Sequence, residues 1–195
     1  MPLVSLAELV EKSSALHPVS FPTDTIPALA VYPHQAEIIF QLKQRPTAKP
    51  LILMTGEIED IWQYVKGTSA EMKIWRDTAQ KYLPGALTLV LPASELVPKT
   101  MNPLNPDSIG VRVPNHPIAR EILRQTGAMA TTSANVSGEE AITDLREIAR
   151  QFPSVYALDY DNQIVEKTPS TVIKWTDKGW EILRQGKIKF IIHNS

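Results

Sequence analysis

The sequence predicts an α/β protein built on a mixed β-sheet with flanking helices. Segments with apolar residues at helical spacing alternate with short, continuous apolar runs along most of the 195 residues. From about residue 155 onwards short apolar runs dominate, which favours a mixed sheet over a purely parallel one. The 16 prolines, against 8 glycines, often stand at the edges of the apolar runs, where proline ends strands and begins helices.

Individual elements follow from this spacing and from capping signals. Ser5 and Glu8 have the spacing of a capping box, and Pro117 suits the first turn of a helix. The predicted helical segments are residues 5–14, 35–44, 58–65, 69–82, 117–125 and 143–151. The predicted strands are residues 19–21, 51–54, 87–91, 109–113, 129–132, 155–158, 171–174, 180–183 and 188–192. The polar stretch 98–107 is predicted to be a mobile loop within the domain.

The composition is typical of one globular domain covering residues 1–195. Hydrophobic residues make up 43% and charged residues 21%, which argues against a disordered or fibrous chain. A net charge of −1 argues against a generally basic nucleic-acid binder. The absence of cysteine excludes disulfides and thiolate chemistry, and the four histidines lack metal-ligand spacing, so we expect no metal site. No apolar run approaches membrane-spanning length and no signal-peptide pattern is present, so we expect a cytoplasmic protein.

The familiar nucleotide and hydrolase motifs are missing, but three polar segments fall at the ends of predicted strands. G-x-x-x-x-G-K-[ST], G-x-G-x-x-G and G-x-S-x-G do not occur. The segment 22–25, Pro-Thr-Asp-Thr, follows the strand 19–21, although a turn with a helix cap explains it equally simply. The segment 131–138, Thr-Thr-Ser-Ala-Asn-Val-Ser-Gly, stands where open α/β sheets bind ligands, although it also has the composition of an ordinary turn.

The third segment, residues 43–50, contains three cations and no acid. Lys43 could simply stabilise a helix C-terminus through the helix dipole. Arg45 and Lys49 lie beyond that helix, in a stiff proline-containing loop that suits a polyphosphate. Arg112 stands inside an apolar strand, where a cation needs a partner or a ligand.

In this order and spacing, these segments resemble the YrdC family. The resemblance covers roughly residues 20–190 and is carried by the following stretches: Pro22-Thr23-Asp24-Thr25, Lys43-x-Arg45-Pro46-x-x-Lys49-Pro50-Leu51, Leu83-Pro84-Gly85-Ala86-Leu87-Thr88, Gly110-Val111-Arg112-Val113-Pro114-x-His116-Pro117, Thr132-Ser133-Ala134-Asn135-x-Ser137-Gly138, Ser170-Thr171-Val172 and Leu183-Arg184-Gln185-Gly186. It implies a twisted mixed α/β sheet with flanking helices and a concave basic face, in the short form of the family without an extra C-terminal domain.

The resemblance also implies an activity. The family's synthases condense L-threonine, bicarbonate and ATP to threonylcarbamoyl-AMP and pyrophosphate, for the t6A modification of tRNA at position 37. It implies Mg²⁺ carried by ATP and no organic cofactor, hand-over of the product to a tRNA threonylcarbamoyl transferase complex, and contact with tRNA or other RNA. The resemblance assigns catalysis to Lys43 and Arg45. It assigns ATP binding to Lys43, Arg45, Lys49, Ser108, Ser133, Asn135 and Arg184. It assigns threonine binding to Thr25, Arg112, Thr131 and Ser170.

The segment after Thr25 departs from the family pattern. Relatives usually have an aromatic residue and a glycine where this chain has Pro27 and Ala28, and Ala30 stands where a glycine often follows. These changes affect the expected threonine pocket more than the phosphate site. Two alternatives therefore stay open: a YrdC-like RNA-binding paralogue, for tRNA or ribosomal RNA, without this activity, and an ATP-dependent carbamoyl transferase acting on another amine.

Overall fold

A ten-stranded mixed sheet organises the protein, and a computed structural model describes residues 3–135, 139–161 and 168–192. The strands are β1 Leu3–Val4, β2 Val19–Phe21, β3 Ala28–Val31, β4 Ile52–Met54, β5 Leu87–Pro92, β6 Ser108–Arg112, β7 Met129–Ser133, β8 Tyr156–Leu158, β9 Thr171–Thr176 and β10 Gly179–Arg184. Their order across the sheet is β1-β8-β2-β3-β7-β4-β6-β5-β9-β10. Parallel and antiparallel pairs occur together, which confirms the predicted mixed α/β class.

Five α-helices accompany the sheet: α1 Leu6–Ser14, α2 Ala36–Leu42, α3 Ser69–Tyr82, α4 Pro117–Thr126 and α5 Leu145–Gln151. The predicted capping box at Ser5 and Glu8 is present, and Thr68 forms a second one with Glu71 at the start of α3. Pro117 occupies the first turn of α4, as expected. Apolar side chains from helices and strands form a continuous core that includes the fully buried Trp75.

Several predicted boundaries need correction. The segment 58–65 forms a 3₁₀-helix at Glu59–Tyr64 rather than an α-helix. The helix predicted over 35–44 is preceded by a 3₁₀ turn and ends at Leu42, because Gln44 has a positive φ of 47°, which no helix accommodates. The predicted strand 188–192 is wrong: its start packs against the segment before β9, with the Lys187 amide donating to the Pro169 carbonyl at 2.9 Å.

The stretch 98–107 is more ordered than a free loop. It contains a 3₁₀ turn at Lys99–Met101, and the Met101 side chain is fully buried. The Leu51 amide donates to the Met101 carbonyl at 2.9 Å, and Asn102 Nδ2 donates to the Ser108 carbonyl at 3.1 Å. The stretch is thus hydrogen-bonded to residues at the starts of β4 and β6.

The strand β4 positions the site because it joins the two halves of the sheet. It runs parallel to β6 and antiparallel to β7. Its register places Ile52 between Gly110 and Thr131, and Met54 beside Arg112. Residues two apart on a strand share a face, so the side chains of Ile52, Met54 and Arg112 lie on one face of the sheet. None of the described helices is long and apolar enough to cross a membrane.

Candidate functional site

A cavity of about 570 Å³ opens beside β3, β4, β6 and β7. The segment between α2 and β4 and the segment before β9 complete its wall. The lining residues are Thr25, Ile26, Ala28, Lys43, Arg45, Ala48, Lys49, Pro50, Ile52, Met54, Arg112, Thr131, Thr132, Ser133, Asn135, Glu139, Pro169, Ser170 and Arg184. Five of these carry a positive charge and one, Glu139, carries a negative charge.

Lys43 reaches the cavity from the C-cap of α2 with its side chain buried. Its Nζ donates to Thr132 Oγ1 at 3.1 Å and also to the Ser133 carbonyl. Both acceptors are uncharged. Burial, together with repulsion from Arg45 and Lys49, lowers the pKa of Lys43 to about 7. Lys43 is therefore a buried amine poised between its charged and neutral forms, beside two further cations.

Arg45 braces the cationic loop that follows α2. Its Nε donates to the Lys49 carbonyl at 2.8 Å, and its Nη2 donates to the Pro50 carbonyl at 2.9 Å. The planar guanidinium thus ties Arg45, at the start of the loop, to two adjacent carbonyls at its end, which keeps the loop in a single shape. Burial lowers the pKa of Arg45, yet an arginine stays charged at neutral pH.

Arg184 brings a further cation into the cavity from the end of β10, and burial together with repulsion from Arg112 lowers its pKa. Its Nη2 donates to the Ser170 carbonyl at 2.9 Å, and its Nε donates to the same oxygen at 3.2 Å. Gly186 makes this approach possible: a Cβ there would lie 2.3 Å from the Pro169 carbonyl oxygen and 2.5 Å from the Ser170 carbonyl atoms. A glycine is thus required where the chain crosses the cavity wall.

Arg112 also lines the cavity, and its guanidinium is almost fully buried. Nη2 contacts Asp24 Oδ1 at 2.6 Å, Nη1 donates to Thr25 Oγ1 at 3.0 Å, and Nε donates to the Gly85 carbonyl at 3.1 Å. Burial lowers the pKa of Arg112, and the Asp24 carboxylate opposes that effect. The partner expected for a cation in an apolar strand is therefore present in the chain itself.

Hydroxyl and amide groups line the cavity as well. Ser133 Oγ donates to Asn135 Oδ1 at 2.6 Å, and Asn135 Nδ2 donates to the Glu139 carbonyl at 2.8 Å. Thr131 Oγ1 donates to the Ile52 carbonyl at 2.9 Å. Ser170 Oγ lies 3.0 Å from the hydroxyl of Thr88.

The structure brings all the predicted site residues into this cavity except Ser108. Ser108 opens β6, four residues before Arg112, and is not among the lining residues. Its hydroxyl accepts from Asn102 Nδ2 at 3.1 Å and donates to the Asn105 carbonyl at 3.3 Å. The expectation that Ser108 contacts ATP is therefore not supported by this cavity.

Several lining residues were not predicted. Thr132 accepts a hydrogen bond from Lys43, and Glu139 also lines the cavity. The segment 136–138, which includes Ser137 and Gly138 of the motif, lies outside the described residues. Ala28, which replaces the usual glycine, adds a methyl group to the wall, whereas Pro27 is not among the lining residues. Thr132 belongs to one of the stretches that carry the YrdC resemblance, and Ala28 lies shortly after another. Their positions in the sequence could therefore have indicated that they line the site.

The sheet and the cavity define a class: an α/β protein whose mixed sheet carries an open cavity lined by cations. The profile of a family described as "Telomere recombination" (Sua5, YciO and YrdC) matches residues 16–186. The chain belongs to this Sua5/YciO/YrdC family, as its resemblance to YrdC proteins predicted.

Three similarities show how the chain relates to known proteins. It is 34% identical over 138 residues to a threonylcarbamoyl-AMP synthase of Pyrococcus abyssi, a match covering 69% of this chain and 39% of that protein. The crystal structure of P. abyssi Sua5 complexed with L-threonine superposes with a TM-score of 0.81 at 28% identity, covering 94% of this chain and 55% of the other. E. coli YciO superposes with a TM-score of 0.79 at 25% identity, covering 93% and 88%.

The match spans less than half the length of the archaeal and mammalian synthases: 39% for P. abyssi and 48% for Homo sapiens. The interpretation of residues 1–195 as a single YrdC-like domain stays a prediction.

Proposed function

We propose that the protein is a nucleotidyltransferase that makes threonylcarbamoyl-AMP from L-threonine, bicarbonate and ATP and releases pyrophosphate. The observation that carries the proposal is that one cavity brings Lys43, Arg45 and Arg184 together with the Arg112–Thr25 pair. One wall suits a polyphosphate, and the other offers a guanidinium and hydroxyls to a small acid. Relatives named threonylcarbamoyl-AMP synthase favour this function over the RNA-binding alternative.

The chemistry asks the protein for position and charge rather than for a nucleophile. The amine of threonine and bicarbonate form a carbamate: a carbon–nitrogen bond forms, a carbon–oxygen bond of bicarbonate breaks, and water leaves. An oxygen of this carbamate attacks the α-phosphorus of ATP. A new phosphorus–oxygen bond forms while the bond to the β-phosphate oxygen breaks, and pyrophosphate leaves with the electron pair. Holding two anions in line and neutralising the leaving group is what fixed cations accomplish.

At the phosphate end, Lys43, Arg45 and Lys49 would contact the triphosphate, and Arg184 would reach it from beside Ser170. The Arg45 fork keeps its loop in place before the nucleotide arrives, so little ordering is needed on binding. Ser133 and Asn135 would hold the nucleotide through their hydroxyl and amide.

At the other end, Arg112 would bind the carboxylate of threonine. Thr25, Thr131 and Ser170 lie on this wall and would contact the remaining polar groups of the amino acid. The P. abyssi protein named above was crystallised with L-threonine, which supports an amino-acid substrate here.

Mg²⁺ would arrive with ATP rather than in a site of the protein. Within the described residues no three His, Asp or Glu side chains are grouped to hold a metal ion. A magnesium ion bound mainly to phosphate oxygens and water needs few protein ligands. The product would pass to a tRNA threonylcarbamoyl transferase complex in the cytoplasm for modification at position 37 of tRNA.

Pyrophosphate release tests the proposal directly. The wild-type protein should release pyrophosphate from Mg-ATP only when L-threonine and bicarbonate are both present. The double variant Lys43→Ala/Arg45→Ala should lose at least a hundredfold in rate, since two cations at the phosphates are removed. Glu57→Gln is the matched control, because Glu57 pairs with Arg120 and Arg124 outside the cavity. Wild-type release no faster than that of the double variant would refute the function.

Two further readouts separate the alternatives. Growth rescue of a strain lacking its own synthase should require Lys43 and Arg45. An RNA-binding paralogue would instead bind RNA with a steep dependence on salt and without competition from ATP. A carbamoyl transferase for another amine would release pyrophosphate with that amine in place of threonine.

A further inference from the structure

The two ends of the cavity differ in charge balance, although both contain cations. At one end Arg112 contacts the Asp24 carboxylate at 2.6 Å, with the two side chains 4% and 14% exposed. At the other end Lys43 and Arg45 donate only to hydroxyl and carbonyl oxygens, which carry no net charge. The charge of Arg112 is thus balanced by an adjacent carboxylate, whereas the hydrogen bonds of Lys43 and Arg45 include no carboxylate.

This difference affects which anions each end can hold. A phosphate group carries up to two negative charges, and beside Arg112 it would meet the nearby negative charge of Asp24 in a water-poor site. An α-amino acid is a zwitterion, with one carboxylate and one ammonium group. It is complementary to a neighbouring guanidinium and carboxylate, and its total charge is zero.

The hydrogen bonds of Arg112 make the arrangement rigid. A guanidinium has five N–H donors, and three are engaged by the Gly85 carbonyl, Thr25 Oγ1 and Asp24 Oδ1. Three acceptors from three directions fix the plane of the group. Asp24 is held in turn, because Lys187 Nζ donates to its backbone carbonyl at 3.1 Å.

We propose that Asp24 reserves the Arg112 end of the cavity for the zwitterion of an α-amino acid and keeps phosphate groups out of it. ATP then enters in one orientation, with its phosphates at Lys43 and not at Arg112. The inference rests on the proposed function for the identity of the amino acid. It assigns Asp24 a role in specificity that acts through Arg112.

Binding calorimetry with three probes tests this role. The probes are L-threonine, 3-hydroxybutanoate, which lacks the ammonium group, and inorganic phosphate. In the wild-type protein L-threonine should bind at least tenfold more tightly than 3-hydroxybutanoate, and phosphate should not displace it. In Asp24→Asn the preference should fall about tenfold, and phosphate should compete with L-threonine, because the charge of Arg112 is no longer balanced.

Thermal unfolding shows whether Asp24→Asn folds. If it does not, the competition between phosphate and L-threonine in the wild-type protein still tests the inference. Glu57→Gln breaks an ion pair outside the cavity and should leave the selectivity unchanged. Displacement of L-threonine by phosphate in the wild-type protein would overturn the inference. An unchanged preference for L-threonine over 3-hydroxybutanoate in folded Asp24→Asn would also overturn it. The absence of L-threonine binding to the wild-type protein would do the same. None of these measurements requires turnover: selective binding without pyrophosphate release would refute the synthase and leave the role of Asp24 standing.

Discussion

Lys43 should take up a proton when ATP binds. In the free protein its pKa is about 7, so about half of the molecules carry a neutral amine at pH 7 and about nine-tenths do at pH 8. Phosphate oxygens placed near Nζ favour the charged form and raise the pKa of Lys43. If the raised pKa exceeds about 9, binding takes up about half a proton at pH 7 and most of one proton at pH 8.

Calorimetry measures this number. The heat of Mg-ATP binding is recorded at pH 8 in buffers that differ in ionisation enthalpy, and the slope of observed heat against ionisation enthalpy gives the protons taken up. Lys43→Met keeps the length of the side chain without an ionisable group, so its slope gives the contribution of the nucleotide and of other residues. The difference between the two slopes should be about 0.8 proton at pH 8.

The same linkage fixes the sign of the pH dependence. The complex binds more protons than the free protein above pH 7, so the affinity for ATP should fall as pH rises, by up to tenfold per pH unit, until the raised pKa is passed. Lys43→Met should bind ATP more weakly and lack this component. Equal slopes for the wild type and Lys43→Met would refute the placement of the phosphates at Lys43.

Three further substitutions test other parts of the structure. Arg45→Lys keeps the charge but cannot donate to two carbonyls at once, so the dissociation constant for ATP should rise about tenfold in a binding titration. An unchanged dissociation constant would contradict the bracing role of Arg45. Gly186→Ala should destabilise the fold by about 1–3 kcal/mol, because its Cβ would overlap the Pro169 carbonyl. A melting temperature equal to that of the wild type would disprove this close contact. Thr68→Ala removes the side chain that caps α3 with Glu71 and should cost about 1 kcal/mol in denaturant unfolding while leaving ATP affinity unchanged.

Long, well-capped helices and buried strands could be predicted from the sequence because their signals are local. Residues 69–82 form a helix over the predicted range, and Val19–Phe21 forms the predicted strand. The strand Ala28–Val31 was missed, although it lies between β2 and β7 in the sheet. Its four residues are all apolar and follow Pro27 closely, so neither alternation nor length separated it from a loop.

The site was predicted through the order of its segments rather than through any one of them. Each segment alone could be read as a turn or a cap, and the shared cavity depends on strand pairing that spacing does not reveal. The pairing of Arg112 with Asp24 illustrates the limit: 88 residues separate them in sequence, and Asp24 was quoted without a role of its own. The strand predicted over 188–192 failed for a similar reason, because Phe190 packs against Tyr82 of α3 rather than joining the sheet.

The contact between Lys187 and Asp24 spans 163 positions of the chain. Together with Arg184, which lines the cavity, it shows that the region around β10 supports a site laid out by β3, β4, β6 and β7. A nascent polypeptide that has not yet been extended through β10 therefore has an unfinished cavity, and shortened products that end before β10 lack the guanidinium of Arg184.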